Sequence, residues 1–389
     1  NVPQPVIVGY SRTPFGRYRG SLARFSAIDL GSKAICGLMD SLDITPADGH
    51  IDAVYMGMVL QGGAGQAPAR QACLGAGLPV ETPATTVNKV CGSSLKAVMI
   101  AAMEIESGRS KVVIAGGMES MTNAPFIAQN IDKRTPIEQS SLISLLQKDG
   151  LTDAFSGDHM GISGETIATE EGVDRNTADI YALNSHRRAS HAWSTGWFDR
   201  EVVPMECLDR DEGIRDDTSL SKLADLNPVF KDGGVVTAGN SSQLSDGAAA
   251  VMVCSKEVAK KMGWPIIADI IDFETSGVSP SRVMSAPIPC IESLLTRNDL
   301  TVEDIDLFEH NEAFATASCG IKDHFNVDEK RFNIHGGAIA IGHPLGASGA
   351  RCLMSLLNSM ERTNGKKGIV TLCLGGGNAV GMLLSRDPD

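Results

Sequence analysis

Aromatic residues are scarce: Phe, Trp and Tyr make up only 5% of the 389 residues, so aliphatic side chains must fill the interior. No run of eighteen apolar residues occurs, and no membrane-spanning helix is expected. The N-terminus lacks a charged region followed by an apolar core, so no signal peptide is expected either. Neither a CxxC pair nor an HExxH motif is present, which speaks against a structural or protease-type zinc site, and no metal is expected. The nine cysteines are odd in number and irregularly spaced, which excludes the framework of a small disulfide-stapled secreted domain and points to a reducing cytoplasm. Positive charge is in deficit, with 34 Lys and Arg against 47 Asp and Glu and a net charge of -13. That balance argues against a nucleic-acid or anionic-membrane partner, while leaving room for a local basic patch that receives a phosphorylated ligand.

What the chain has in plenty is glycine, 41 residues, alongside a hydrophobic fraction of 42%. That combination suits an α/β protein with many tight strand-to-helix turns. At 389 residues the chain exceeds what one core usually supports, so two or three domains or a duplicated one are expected.

The stretch VNKVCGSSLKAVMIAAMEIESGRSKVVIAGG, from Val87 to Gly117, organises the rest. Ala84 to Val90 reads as a short extended segment, and Leu95, Val98, Met99 and Ala102 follow the i, i+3, i+4, i+7 spacing of a helix. Cys91 therefore stands at a helix start, where unpaired N–H groups and the macrodipole favour an anion and should lower a thiol pKa toward neutrality. A small buried hydrophobe is the competing reading of the same cysteine. The helix is expected to end near Gly108, and the following strand, Lys111 to Ala115, at Gly116-Gly117.

Upstream lie two βα units: Val6 to Tyr10 with the helix Ala27 to Leu42, and Ile51 to Val59 with a short helix from Ala69 to Ala76. From Met121 to about Ala249 the texture changes to more charge, Asn, Ser and Pro, which predicts an inserted, mostly helical lobe with one helix over Arg175 to Ser194. A strand over Ala249 to Cys254 returns to the regular pattern. After Ile266 the chain repeats itself: TVEDIDLFEHNEAFA matches ADGHIDAVYMG in pattern, and GASGARCLMSLLNSMERTNGKKGIVTLCLGGG matches the organising stretch, with Leu353, Leu356, Leu357 and Met360 at helical spacing. A repeat this long occurring twice means two similar halves. The expected division is 1–265, containing the lobe 121–249, and 266–389.

Four motifs fall at the ends of regular elements: VNKVCGSS around Cys91, HNEAFA around Asn311, GGAIAIGHPLGASGAR around His343 and LCLGGGN around Cys373. With these four in this order over nearly the whole chain, the sequence resembles the thiolase family, and within it the acetyl-CoA C-acetyltransferase (acetoacetyl-CoA) type. The segment VLQGGAGQAPARQACLGAGLP resembles that short-chain branch, whereas GNSSQ is closer to the degradative 3-ketoacyl-CoA branch. The resemblance implies two βαβαβαββ halves in five α/β layers, with the inserted lobe covering a coenzyme A site. It implies Cys91 as acyl-carrying nucleophile, His343 as its general base and Cys373 as the acid/base at the acetyl-CoA α-carbon. Asn311 with His343 would form one oxyanion hole, and the N–H groups of Cys91 and Gly375 a second. Glu312 is expected to orient neighbours.

For coenzyme A the resemblance points to His159 and Met160 at the acyl end, Ala238, Gly239 and Ser242 along the pantetheine arm, and Arg215 near the nucleotide. Ala313 and Phe314 would line the narrow end. Arg215 lies among Asp209, Asp211, Glu212, Asp216 and Asp217, so a salt-bridged surface loop competes with that role. Acetyl-CoA, acetoacetyl-CoA and CoA are the expected ligands, with no separate cofactor, and a homodimer or homotetramer is the expected assembly. A decarboxylating ketoacyl synthase lacks the second catalytic cysteine, and a non-catalytic carrier of the same fold needs no complete set, so Cys373 beside the other three disfavours both. Asn378 and Ala379 after the glycines depart from many relatives.

Overall fold

The structure is a computed structural model describing residues 1–48, 50–129, 134 and 136–386; Gly49 of the ADGHIDAVYMG stretch lies outside the described residues. The first half runs β1 (Pro5–Arg12), β2 (Gly16–Arg17), α1 (Ala27–Ser41), β3 (Ala53–Gly57), α2 (Pro68–Gly75), β4 (Ala84–Val87), α3 (Ser93–Glu106) and β5 (Val112–Ser120). The lobe follows, with β6 (Phe126–Ile127), β7 (Ile143–Ser144), α4 (Gly161–Glu171), α5 (Arg175–Ser194) and α6 (Leu220–Ala224). The chain returns through β8 (Ser245–Ser255) and α7 (Lys256–Met262). The second half comprises β9 (Ala268–Gly277), α8 (Pro287–Arg297), β10 (Leu307–His310), α9 (Ala315–His324), α10 (Ala338–Ile341), α11 (Ser348–Thr363), β11 (Lys367–Leu374) and β12 (Asn378–Ser385).

The strand order β10-β11-β12-β9-β1-β8-β5-β3-β4 reads alike in both directions from its middle. Outward from the antiparallel β1–β9 junction, β8, β5 and β3 on one side answer β12, β11 and β10 on the other, and only β3–β5, β3–β4 and β10–β11 pair in parallel. The duplication read from the sequence is therefore a duplication of topology. In the second half the counterpart of β4 is reduced to one bridge, Phe308 to Phe332, because the chain turns at once through Asn333 and Gly336 at positive φ.

Side-chain alternation builds the layers. Val113 and Ala115 of β5 and Val370 and Leu372 of β11 face inward, onto Leu95, Val98, Met99 and Ala102 of α3 and Leu353, Leu356, Leu357 and Met360 of α11. Val112 and Ile114 face α1 and α2 on one outer side, and Ile369 and Leu383 face α8 and α9 on the other. The order is helix, sheet, helix, sheet, helix: five layers with α3 and α11 buried at the centre. Their small first residues let them approach, since Gly349 has no room for a Cβ beside the Leu95 N–H and Ser94 Oγ accepts the Ala350 N–H at 2.8 Å.

Two strand boundaries differ from expectation. β5 does not stop at Gly116-Gly117 but continues to Ser120. These glycines permit close crossing rather than a turn: a Cβ on Gly116 would lie 2.0 Å from the Ala249 carbonyl oxygen, and one on Gly117 1.8 Å from that of Gly346. β8 begins at Ser245, ahead of Ala249, because its first residues pair with Gly117 to Ser120 of that extension.

The lobe is helical at α4 and α5, and largely irregular between Thr195 and Ser219. α5 occupies the expected residues, capped by the Asp174 side chain on the Thr177 N–H. A buried ion-pair group pins the irregular part to β1. The Arg12 guanidinium donates to Glu201 at 2.8 Å and to both Asp211 oxygens at 2.7 and 2.8 Å, and lies over the rings of Phe15 and Phe198. Among the described residues no helix is long and apolar enough to cross a membrane.

Removing Arg12 would strand two carboxylates in the interior. Arg12→Met is therefore expected to cost about 3–5 kcal/mol, read as a lower urea midpoint; a loss under about 1 kcal/mol would show that the group does not anchor the lobe.

Candidate active site

The segment after β4 is bent by its own side chains. Asn88 Oδ1 accepts the Val90 N–H at 3.0 Å, while Ser93 Oγ accepts the Lys89 N–H at 2.8 Å and donates to the Val90 carbonyl at 2.6 Å. These bonds hold Val90 at φ +49°, a left-handed conformation that costs a β-branched residue on the order of 1–3 kcal/mol. The result is that Cys91 projects from a sharp turn immediately before α3, whose N-cap is Gly92. A Cβ on Gly92 would press on the side chains of Leu374 and Val380 of the other half.

His343 is carried by the loop between α10 and α11, after Gly342 at φ +113°. Its Nδ1 meets Ser348 Oγ, and that hydroxyl donates its single proton to the Pro344 carbonyl at 3.0 Å. Ser348 can then only accept from the ring, so Nδ1 carries the proton and Nε2 presents a lone pair. Asn311 Nδ2 faces that Nε2 at 3.5 Å, its own Oδ1 accepting from the Cys352 thiol at 3.7 Å. Ser348 and Cys352 were not read from the sequence, where they look like parts of a small-residue helix opening.

Cys91, His343, Cys373 and Gly375 line one cavity of about 380 Å³. Asn311, fully buried, stands behind His343 rather than on the cavity wall. Cys373 ends β11 with its sulfur 3.5 Å from Met284 Sδ, a neighbour with no sequence signature. Glu312 lies away from the cavity and accepts from Tyr181 at 2.7 Å, Ser185 at 2.6 Å and the Ile339 N–H at 3.2 Å, tying α5 to the second half.

The electrostatics correct one expectation. Burial pushes the Cys91 thiol up to about 12, helped by the neighbouring Cys373, and outweighs the N–H groups of Cys91 and Gly375 that favour the thiolate. Burial also carries Cys373 up to about 12 and His343 down to about 3. Burial thus favours a neutral thiol and a neutral imidazole over an ion pair, even though Cys91 keeps part of its surface exposed.

Met160, Ala238, Ser242, Ala313 and Phe314 line the same cavity. So does His159, whose ring stacks on Phe230 with centroids 4.4 Å apart. Arg215 and Gly239 instead line a second cavity of about 210 Å³, which shares Ala238 and Gln243 with the first. The loop around Arg215 is an exposed, salt-bridged one, although Arg215 itself takes no part in those pairs. Asp216 pairs with Arg210 and Asp217 with Lys222, while Asp211 is taken by Arg12 and Glu212 by Ser21, leaving the exposed Arg215 without an ion pair among the described residues. Phe230, missed in the sequence, is the platform for His159.

Family models for the thiolase N-terminal domain and the thiolase C-terminal domain match residues 5–257 and 264–386. The chain belongs to the thiolase family. It is 43% identical over 390 residues to the probable acetyl-CoA acetyltransferase of Escherichia coli (strain K12), covering 98% of this chain and 99% of that one. It is 42% identical over 389 residues to the acetyl-CoA acetyltransferase of Chromobacterium violaceum, with the same coverage. The crystal structure of the Bacillus anthracis acetyl-CoA acetyltransferase matches with a TM-score of 0.94 at 32% identity over 99% of each chain.

With a neutral pair at rest, alkylation of Cys91 by iodoacetamide should accelerate by about tenfold per pH unit from pH 7 to 10, as thiolate forms below the thiol pKa; a rate flat above pH 5 would show a pre-formed ion pair. Ser348→Ala should leave Nδ1–H unpaired and lower turnover by roughly ten- to a hundredfold with KM unchanged. Wild-type turnover in that variant would remove Ser348 from any role in holding the ring.

Proposed function

We propose that the chain catalyses reversible condensation of two acetyl-CoA molecules to acetoacetyl-CoA and CoA, as an acetyl-CoA C-acetyltransferase working by a ping-pong mechanism. The observation that carries this reading is the convergence of two cysteines, an imidazole lone pair and the Gly375 N–H on one cavity that adjoins a second one with an unpaired arginine. His343 Nε2 takes the Cys91 proton as sulfur attacks the acetyl-CoA carbonyl, and the departing CoA thiolate receives that proton, leaving acetyl-Cys91. Cys373, its thiol proton passed to His343 Nε2, then takes a proton from the methyl group of a second acetyl-CoA. The enolate oxygen is stabilised beside His343 and Asn311. Its carbon attacks acetyl-Cys91, whose developing oxyanion is met by the Cys91 and Gly375 N–H groups. Collapse releases acetoacetyl-CoA, and the Cys91 thiolate takes a proton back from His343, which restores two neutral thiols and a neutral imidazole.

Only acyl groups and protons move in these steps, so the chemistry asks for no cofactor beyond the coenzyme A thioesters themselves. Arg215, at the mouth of the second cavity, suits a nucleotide phosphate; Ala238, Gly239 and Ser242 lie between it and the thiols. A second copy of the chain is proposed to pair along β4, the sheet's half-exposed edge strand of Thr and Val, next to the Cys91 turn. Nine unpaired thiols suit a reducing compartment such as the cytoplasm.

Acetyl-CoA labelled in its acetyl group should leave its label on Cys91 after acid quench and peptide mass spectrometry; label on Cys373 with Cys91 unmodified would overturn the assignment. Cys373→Ala should still acetylate Cys91 while exchange of the acetyl-CoA methyl hydrogens falls by about a hundred- to ten-thousandfold.

Chain length turns on Met160, which lies between the main cavity and a third of about 390 Å³ that also touches Cys91 and Gly375. With Met160 in place, each methylene beyond acetoacetyl-CoA should lower kcat/KM by about tenfold or more, and Met160→Gly should relax that slope. The GNSSQ segment and this third cavity favour the second reading, a broad-range 3-ketoacyl-CoA thiolase. Equal kcat/KM for acetoacetyl-CoA and 3-ketooctanoyl-CoA in the unmodified protein would decide for it.

A further inference from the structure

Glu119, near the end of β5, is a charged side chain that the steps above do not use. It has no exposed surface, and among the described residues no cationic side chain meets it. Its partners are three backbone donors: Oε1 accepts from Val59 and Gly346, each at 3.0 Å, and Oε2 from Leu60 at 3.1 Å. Val59 and Leu60 follow β3 in the first half of the chain, whereas Gly346 lies three residues after His343 in the second. The apolar side chains of the same two loops, Val59, Leu60 and Leu345, pack with Met121 and Leu146 into the cluster against which Cys91 rests. Three inward N–H groups demand a partner that only accepts, and a two-oxygen carboxylate meets that demand where an amide cannot. Burial still drives the carboxyl up to about 7 against the pull of those donors, so keeping an acidic side chain here carries a cost that a purely apolar contact would avoid.

We propose that Glu119 is a positioning residue that sets the separation of Cys91 and His343, its carboxylate tying the loop after β3 to the loop that bears the imidazole. The inference rests on the reading of His343 as the base for Cys91. Without the tie, the His343 loop is free to shift relative to the thiol, and a displacement of about 1 Å is enough to cost on the order of a hundredfold in rate. Binding of coenzyme A, which the lobe handles, is left alone.

The test compares Glu119→Gln with His343→Ala. In Glu119→Gln one oxygen keeps the Val59 and Gly346 donors, and the new NH₂ opposes the Leu60 N–H. Thiolysis of acetoacetyl-CoA should lose about ten- to a hundredfold in kcat, with KM and the Kd for CoA unchanged. A purely structural role would instead move melting temperature and CoA affinity together with kcat, and that pattern, or kcat within twofold of wild type, overturns the proposal. Unimpaired thiolysis in His343→Ala would sink the reading of the base itself, separately from the role of Glu119. Should Glu119→Gln fail to fold, hydrogen exchange on the wild-type chain decides: the Val59, Leu60 and Gly346 amides should be protected and open together, and exchange of Gly346 independent of the other two refutes the tie.

Discussion

The close passage of the Gly346 backbone over β3 and β5 is the constraint on which the site depends. A Cβ on Gly117 would overlap the Gly346 carbonyl oxygen, one on Gly57 would lie 2.9 Å from the same atom, and one on Gly346 would meet the Gly57 and Met118 carbonyls at 2.9 Å. Three glycines from two halves of the chain thus share a contact that no side chain can enter. Through it the loop bearing His343 reaches the cavity that Cys91 of the other half also lines, and α11 is delivered alongside α3. Along the sheet the two halves join by only two residue pairs, between β1 and β9. The glycine crossing and the buried helix pair therefore supply the registration that the short strand junction does not.

Around that crossing the interior is unusually polar for a site that rests uncharged. Cys91, Cys373 and His343 all occupy a low-dielectric cavity in which ionisation is penalised, and the groups that favour charge are oriented N–H donors rather than counter-ions. Such an arrangement suits reactions in which charge appears only transiently, on a thiolate, an enolate and a tetrahedral oxyanion in turn. Fixed dipoles stabilise each of these without having to reorganise. The strained turn at Val90 belongs to the same economy of placement, since it aims the sulfur at the cavity rather than into the core.

The lobe contributes differently. Its irregular stretch is held by the Arg12, Glu201 and Asp211 group and its helix α5 by Glu312, alongside apolar packing of Phe198, Val202 and Ile214 on Phe15, Ala340 and Ile341. Those polar pairs are directional, so they fix orientation where apolar contacts alone would not. The acidic residues around Arg215 pair with other partners, Asp216 with Arg210 and Asp217 with Lys222.

Much of this was legible in one dimension. Periodicity alone located α3, α11 and α5, because helices with a continuous apolar stripe or a strong cap declare themselves locally. The duplication was visible because two segments repeat both their apolar spacing and their glycine endings, and the four motifs around Cys91, Asn311, His343 and Cys373 marked the site. Local chemistry misled at Gly116-Gly117, where glycine served a long-range crossing rather than a turn, and at Cys91, where a helix start suggested a lowered pKa that burial reverses. Ser348, Cys352, Met284 and Phe230 had no signature, since their partners lie on other elements. The sequence by itself determined which segments form helices and strands and which residue types carry the chemistry, because these follow from neighbours along the chain. Tertiary structure alone decided the hydrogen bonds around His343, the burial that pushes the thiol pKa values up and the three backbone donors gathered on Glu119. Each of these depends on atoms brought together from distant positions and on the exclusion of water between them.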